Sequence, residues 1–162
     1  MTDWWELNRP GQGVEFEGEG NFAPEFSNFV RSEIIVDNIY YPTVEHYFQA
    51  QKALDPHTRS WIASARNPGQ AKVRGRQTPL REDWDEVKYE VMLTGLRAKF
   101  RRLDFKRILR DFPGPIVEWN TWHDRVWGVC VCWRCDKTGE NLLGKALEQV
   151  REEIRGKTSA NS

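Results

Sequence analysis

Glu45, Gln49 and Lys52 fall at i, i+4 and i+7 within Tyr41 to Leu54, YPTVEHYFQAQKAL. A helix there places a carboxylate, an amide and an amine on one face, flanked by Tyr47 and Phe48. Two readings are open at this level: an exposed Glu and Lys on an ordinary surface helix, or a polar triplet turned into a cleft. Trp84, Trp122, Asp124 and Trp127 are the other candidates. Carboxylates at Glu45 and Asp124 with indole platforms suit cleavage of an N-glycosidic bond. The transition state of that cleavage is an oxocarbenium-like sugar, which a carboxylate stabilises, and a flat base leaves best when stacked and protonated. Stacking on an indole contributes about 1–3 kcal/mol. Composition alone leaves this as one enzyme chemistry among many.

Other constellations carry less. Cys130-x-Cys132-x-x-Cys135, with His123 upstream, offers four potential metal ligands. Structural zinc sites usually pair two knuckles across a longer loop, which is absent here. In a strand Cys130 and Cys132 share a face and serve as small core residues, so the thiols are expected to be core or incidental and the protein metal-independent. His46 points about 100° away from Glu45 on a helix and is expected to be packed rather than catalytic. His57, after a proline at a helix start, is expected to be exposed. Gly139 to Gly144, GENLLG, has the form of a glycine-flanked helix N-terminus whose amides could hold an anion. No G-x-S-x-G, no phosphate-binding P-loop and no locally supported Ser-His-Asp order is present.

The elements that must position these groups can be read in order. A chain of 162 residues is enough for one domain with its own core. Acidic and basic residues balance at 24 each, which excludes a global field for nucleic acid or membrane. The basic run Arg97, Lys99, Arg101, Arg102, Lys106, Arg107 and Arg110 spreads around a helix, as a solvated face does. Three cysteines and no signal-like N-terminus predict a soluble protein of the reducing cytoplasm, with no membrane span.

Residues 1 to 20 read as an N-terminal extension with a short edge strand at Gly13 to Phe16. Asn21 to Phe29 reads as a loop whose phenylalanines plug into the core. Asp37-Asn38 turns a hairpin between Glu33–Val36 and Ile39–Tyr41. Thr43 caps a helix to Leu54, and further helices are expected over Pro56–Arg66 and Ala71–Gly75. A D-x-x-E capping box at Asp83 opens the longest helix, to about Arg101, and Asp104 caps Phe105–Phe112. Strands follow at Ile116–Trp119 and Val126–Trp133. The last helix, Asn141–Ile154, is ended by Gly156, and residues 157 to 162 form a disordered tail.

As a set, FSNF (Phe26 to Phe29), YPTVEHYFQAQKA (Tyr41 to Ala53), RxDWDxVK (Arg81 to Lys88), Lys99-Phe100, DxxWG (Asp124 to Gly128) and GENLLGKALEQVR (Gly139 to Arg151) resemble the NADAR, or YbiA-like, family. The resemblance covers about Asn21 to Arg151. It implies a compact α+β domain over residues 21 to 156, predominantly helical with a small sheet or hairpin. It also implies hydrolysis of N-glycosidic bonds, without a cofactor, in ADP-ribose on guanine of nucleic acid or in phosphoribosylated pyrimidine intermediates of riboflavin synthesis. A non-catalytic ADP-ribose or nucleotide-binding module is the alternative; its mark would be a substituted Glu45 or Asp124, and both carboxylates are present.

Carried over by position, the resemblance makes Glu45 the acid/base or cation stabiliser, Asp124 the second carboxylate, and Trp84 a lining residue. Lys52 traps an opened ribose as a Schiff base or grips a phosphate. Asn28, Phe29, Gln49, Trp122, Trp127, Gly139 and Asn141 are the implied substrate contacts. Two departures stand out. CVCWRCDKTG follows Gly128 where the family often has a glycine-rich segment, and Leu147-Glu148 replaces a common Leu-Met pair, expected to be core repacking.

Overall fold

A computed structural model describes residues 15–18 and 21–160. In chain order the first elements are β1 (Glu15–Gly18), β2 (Asn21–Phe22), a 3-10 turn (Pro24–Phe26), β3 (Arg31–Val36) and β4 (Ile39–Thr43). The helices α1 (Val44–Ala50), α2 (Pro56–Ala63), α3 (Pro68–Gln77), α4 (Trp84–Lys99) and α5 (Leu103–Asp111) follow. The chain closes with β5 (Val117–Asn120), β6 (Val129–Cys130) and α6 (Leu142–Ala160). Helices predominate over two small sheets, the α+β class expected. None of the described helices is long and apolar enough to cross a membrane.

The chain forms two compact units. One is Asn28–Phe105; the other takes the described residues up to Ser27 and those from Lys106 onward. In the first, β3 and β4 make the expected antiparallel hairpin, with Ile34 opposite Tyr41 and Val36 opposite Ile39. Asp37 and Asn38 both take left-handed backbone, φ 51° and 63°, as a two-residue primed turn requires. Thr43 ends β4 and caps α1, its Oγ1 accepting the amide of His46 at 3.1 Å. Asp55 and Asn67 cap α2 and α3 in the same manner, at 2.8 Å each. The buried face holds Tyr41, Val44, Tyr47, Ile62, Leu93 and Leu96. Tyr41 and Tyr47 meet edge to face, centroids 5.4 Å apart.

In the second unit the strand order is β2-β1-β5-β6, and β5 pairs β6 in parallel through Trp119–Val129 and Asn120–Cys130. Phe26, Leu109, Phe112, Ile116, Ala146, Leu147 and Val150 fill its core. Phe26 meets Phe112 edge to face at 5.0 Å. Arg151 donates to the carbonyls of Phe112 (3.0 Å) and Gly114 (2.7 Å), tying down the Pro113-Gly114-Pro115 loop.

Several expectations change. α1 ends at Ala50 rather than Leu54, so Lys52 lies in the turn beyond it, its amide donating to Gln49 O at 3.2 Å. Asp83 makes no capping bond; its carboxylate is held by Arg81 at 2.6 and 2.8 Å, and an ion pair outcompetes an amide for it. α5 begins at Leu103, before Asp104. The second strand shrinks from Val126–Trp133 to Val129–Cys130, the residues in register with Trp119 and Asn120 of β5. Phe26 is buried as expected, but Asn21–Phe22 pairs as β2 rather than forming a loop, and Phe29 is only half-buried. β1 falls within the expected extension, paired with β5 through Glu17 opposite Val117; residues 1–14 lie outside the described residues.

α6 runs past Gly156 to Ala160. A stopping glycine needs left-handed backbone, and Gly156 is not among the residues with positive φ. Glu148 repacks no core: its Oε1 accepts the amide of Ile116 at 2.9 Å. Lys99 departs most from the solvated face expected of its run. It is fully buried, its Nζ 5.4 and 5.0 Å from the ring centroids of Phe100 and Phe105.

Candidate active site

In the unit Asn28–Phe105, α1 delivers Glu45 to a buried position, 7% exposed, which removes the surface-helix reading. The Glu45 amide donates to Asn28 O at 3.0 Å, and Gln49 Nε2 donates to Glu45 Oε1 at 2.8 Å. One helical turn therefore fixes the carboxylate's rotamer. Two buried amide oxygens beside it, Asn28 Oδ1 and Gln49 Oε1, accept no hydrogen bond among the described residues. Buried acceptors without a donor are costly, and they are common where a ligand supplies the missing partner. Asn28 Nδ2 rests 3.4 Å from Met92 Sδ.

Lys52 and Trp84 join this group. Trp84, at the start of α4, is buried and tilts against Phe48 with centroids 5.1 Å apart. Lys52 Nζ sits 5.8 Å from the Phe48 ring and 5.9 Å from the Trp84 ring. Burial pushes the Lys52 ammonium below its ordinary value, Lys72 and Arg76 add to this by repulsion, and the Glu45 carboxylate works against it. A lysine so placed yields its neutral amine more readily than a solvated one.

α3 supplies what the sequence did not single out. Lys72, Gly75 and Arg76 share one face at i, i+3 and i+4. Gly75 lies against Gln49, where a Cβ would collide with Oε1 and stand 2.9 Å from Cδ. Lys72 and Arg76 act electrostatically on Lys52. Their i, i+4 spacing was the only available signal. His46, on the same helix as Glu45, is packed as expected: Nδ1 is 2.8 Å from Thr43 Oγ1 and Nε2 is 2.9 Å from Ala65 O.

The remaining site candidates belong to the second unit, where their polar atoms do structural work. Asp124 Oδ1 accepts the amides of Val126 (3.1 Å) and Trp127 (2.9 Å). Asn120 grips the Asp124 backbone from both sides, donating to its O at 2.7 Å and accepting its N–H at 3.1 Å. Asn141 is spent likewise, accepting the Glu118 amide at 3.0 Å and donating to Ile116 O at 2.9 Å. Gly139 approaches Gly128 so closely that a Cβ would collide with the Gly128 carbonyl. Trp122 is exposed and Trp127 half-buried.

Three amides of the glycine-flanked turn are already engaged by backbone rather than open to an anion. Glu140, Leu142 and Leu143 N–H groups donate to the carbonyls of Arg125, Val126 and Trp127 at 2.8, 3.1 and 3.0 Å. The structure thus gathers Glu45, Gln49, Lys52, Trp84 and Asn28 in one unit, with Phe29 half-buried in the turn after Asn28. Asp124, Trp122, Trp127, Gly139 and Asn141 belong to the other.

Comparison with known proteins places this arrangement. The model of the NADAR domain matches residues 16–155. The chain is 40% identical over 145 residues to N-glycosidase YbiA of Shigella flexneri, covering 87% of this chain and 88% of that protein. It is 30% identical over 155 residues to the chloroplastic riboflavin biosynthesis protein PYRR of Zea mays, covering 85% of this chain and 24% of that one. An NMR structure of the Escherichia coli protein YbiA superposes with a TM-score of 0.72 at 38% identity, over 83% of this chain and 79% of the other. The chain belongs to the NADAR family and is a glycosyl hydrolase of the N-glycosidase class.

Proposed function

We propose that the substrate is a ribosylated base whose sugar carries a 5′ phosphate, bound at Glu45, Gln49, Lys52 and Trp84. The observation that carries this reading is the buried Glu45 carboxylate, held by Gln49 beside a partly desolvated lysine and an aromatic pair. Trp84 and Phe48 offer an apolar wall for a flat base. Asn28 Oδ1 and Gln49 Oε1 are acceptors in want of donors, which sugar hydroxyls supply. Lys72 and Arg76 set positive potential on the face of α3 that acts on Lys52, suited to a phosphate.

Two chemical routes use the same groups. In direct hydrolysis the C1–N bond breaks with its electron pair on the base, a proton reaches the base nitrogen, and water attacks C1. Glu45 stabilises the cationic sugar between those events. In the covalent route the ribose ring opens and the Lys52 amine displaces the base nitrogen at C1. Water then hydrolyses the resulting imine, returning the amine and the free sugar. In this scheme Asp124 takes no chemical step; its carboxylate organises the loop to Trp127.

The test is release of free base from a phosphoribosylaminopyrimidine and from ADP-ribosylated guanosine, by wild type and Glu45→Gln. Both substrates carry phosphate on the ribose. The likeness to a riboflavin biosynthesis protein favours the pyrimidine. Wild type is expected to release base, with kcat lower by about 10²–10⁴ in the variant. Equal rates would remove Glu45 from the chemistry. Binding of ADP-ribose without turnover by either protein would make the chain a binding module.

A further inference from the structure

The segment between Gly128 and Asn141 has no part in the chemistry above, yet it carries the densest cluster of metal-binding side chains among the described residues. One ligand atom each from His123, Cys130, Cys132 and Cys135 lies within 4.8 Å of every other. His123 Nδ1 is 3.4 Å from both Cys132 Sγ and Cys135 Sγ. All three cysteines are free thiols. Around tetrahedral zinc, with Zn–S of about 2.3 Å and Zn–N of about 2.0–2.1 Å, ligand atoms stand roughly 3.5–3.8 Å apart. The cluster therefore needs little movement to close on a metal. We propose that His123, Cys130, Cys132 and Cys135 form a structural zinc site.

The backbone explains how one short segment makes a complete site, when sequence spacing suggested that a second knuckle was missing. Cys130 is fixed in β6, opposite Asn120, with its amide on Thr138 O at 3.0 Å. Past the strand the chain turns, and the amides of Cys135 and Asp136 both donate to Cys132 O at 3.1 Å. Asp136 and Lys137 complete the reversal in left-handed backbone, φ 47° and 58°, and Thr138 Oγ1 locks it on Cys135 O at 2.7 Å. That is one knuckle. The other arm is Cys130 with His123, the latter presented by a strained left-handed residue, φ 68°. The loop from β5 thus supplies His123, the fourth ligand that the sequence offered, in place of a second knuckle.

Of the thiols expected to be core or incidental, one lies in the core. Cys130 alone is buried; Cys132 and Cys135 are half-buried and His123 is exposed. Three thiolates and an imidazole are a soft donor set, matched to zinc rather than to magnesium or calcium. With four protein ligands no coordination position is open, so the ion is structural and leaves the hydrolysis to other residues. It pins the strand that follows Trp127-Gly128 to the turn that precedes α6.

The experiment is metal analysis of the full chain purified under reducing conditions, followed by cobalt titration of the metal-free protein. About one equivalent of zinc per chain is expected, and cobalt should give the visible d–d bands of a tetrahedral site with a sulfur-to-metal charge-transfer band. Cys132→Ser and His123→Ala remove ligands outside the core, so folding is checked by circular dichroism. Each should weaken zinc binding by more than about tenfold, the least that loss even of a supporting residue costs. A chelator should lower the melting temperature of wild type and leave that of Cys132→Ser unchanged. Less than about a tenth of an equivalent of zinc together with no thiolate band would overturn the proposal. So would variants that bind zinc as tightly as wild type. A Cys132–Cys135 disulfide in air-exposed protein, with no metal binding after reduction, would replace it with a redox pair.

Discussion

Lys52 is half-buried and His46 buried, and their surroundings give them opposite roles. Lys52 Nζ faces aromatic rings and is pushed below its ordinary value of 10.5 chiefly by burial. Its neutral fraction grows as pH rises, so a Schiff-base route becomes faster with pH and begins to level off below that value. Borohydride added during turnover should trap the sugar on wild type, seen as a mass increase on the peptide holding Lys52. Lys52→Arg keeps the charge and cannot form the imine. It should abolish trapping and lower kcat, whereas a lysine used only to grip phosphate would tolerate the change with a modest rise in KM.

His46 has both ring nitrogens engaged, and burial lowers it from its ordinary 6.5. The unfolded chain therefore takes up this proton first as pH falls. The stability His46 contributes is full above the unfolded value and is lost as pH drops from there towards the lower native one. The slope is at most about 1.4 kcal/mol per pH unit. Urea midpoints across pH 5 to 8 should fall less steeply on the acid side in His46→Gln than in wild type. That His46 is packed follows from its helical angle to Glu45. That Lys99 is fully buried does not, because only the fold brings Phe100 and Phe105 to its ammonium.

Among the elements, α3 shows best what local sequence conveys and what it leaves out. It opens at Pro68 rather than at the expected Ala71, with Asn67 as its cap, and a cap and first-turn proline are decided by neighbours in sequence. The same holds for Asp37-Asn38 in the hairpin and Thr43 before α1. Gly75 reads as a weak point in a helix until α1 is placed against it and Gln49 takes up the space. β6 is short, and Asn141 bonds to backbone, for the same reason: their partners are distant in sequence. Glu45 and Gln49 meet as their i, i+4 spacing predicts, whereas Trp84 reaches Lys52 only through the fold.

The contact of Gly75 with Gln49 is testable. Gly75→Ala should destabilise the protein by about 1–3 kcal/mol through overpacking, and should lower kcat by displacing the amide that holds Glu45. In Gly75→Ala with Gln49→Ala the clash is gone, so the urea midpoint should recover while kcat stays low. Recovery of both would mean that Gln49 holds nothing of catalytic importance.

At the scale of the whole molecule, charge decides which form of substrate is recognised. The 24 acidic and 24 basic residues cancel. Many of the arginines are also matched locally: Arg97 with Glu90, Arg102 with Asp104, Arg110 with Asp111 and Arg155 with Glu152, all within 3.2 Å. Each pair adds little stability at the surface but removes a cation from the set available to a phosphate backbone. Three of the seven cations in the basic run through residues 97–110, Arg97, Arg102 and Arg110, are matched in this way. What is left near Glu45 is Lys52 with Lys72 and Arg76, enough for the phosphates of one nucleotide. Nucleic acid lacking a ribosylated base should bind weakly, and the salt dependence of substrate affinity should correspond to about one or two phosphate contacts, where a nucleic-acid reader makes six to ten. Fluorescence anisotropy with DNA and KM measured from low to moderate salt would check both. A steep salt slope, or tight binding of unmodified DNA, would mean that surface arginines engage the backbone and that the enzyme works on polymeric substrate. A shallow slope would place the specificity with the residues around Glu45.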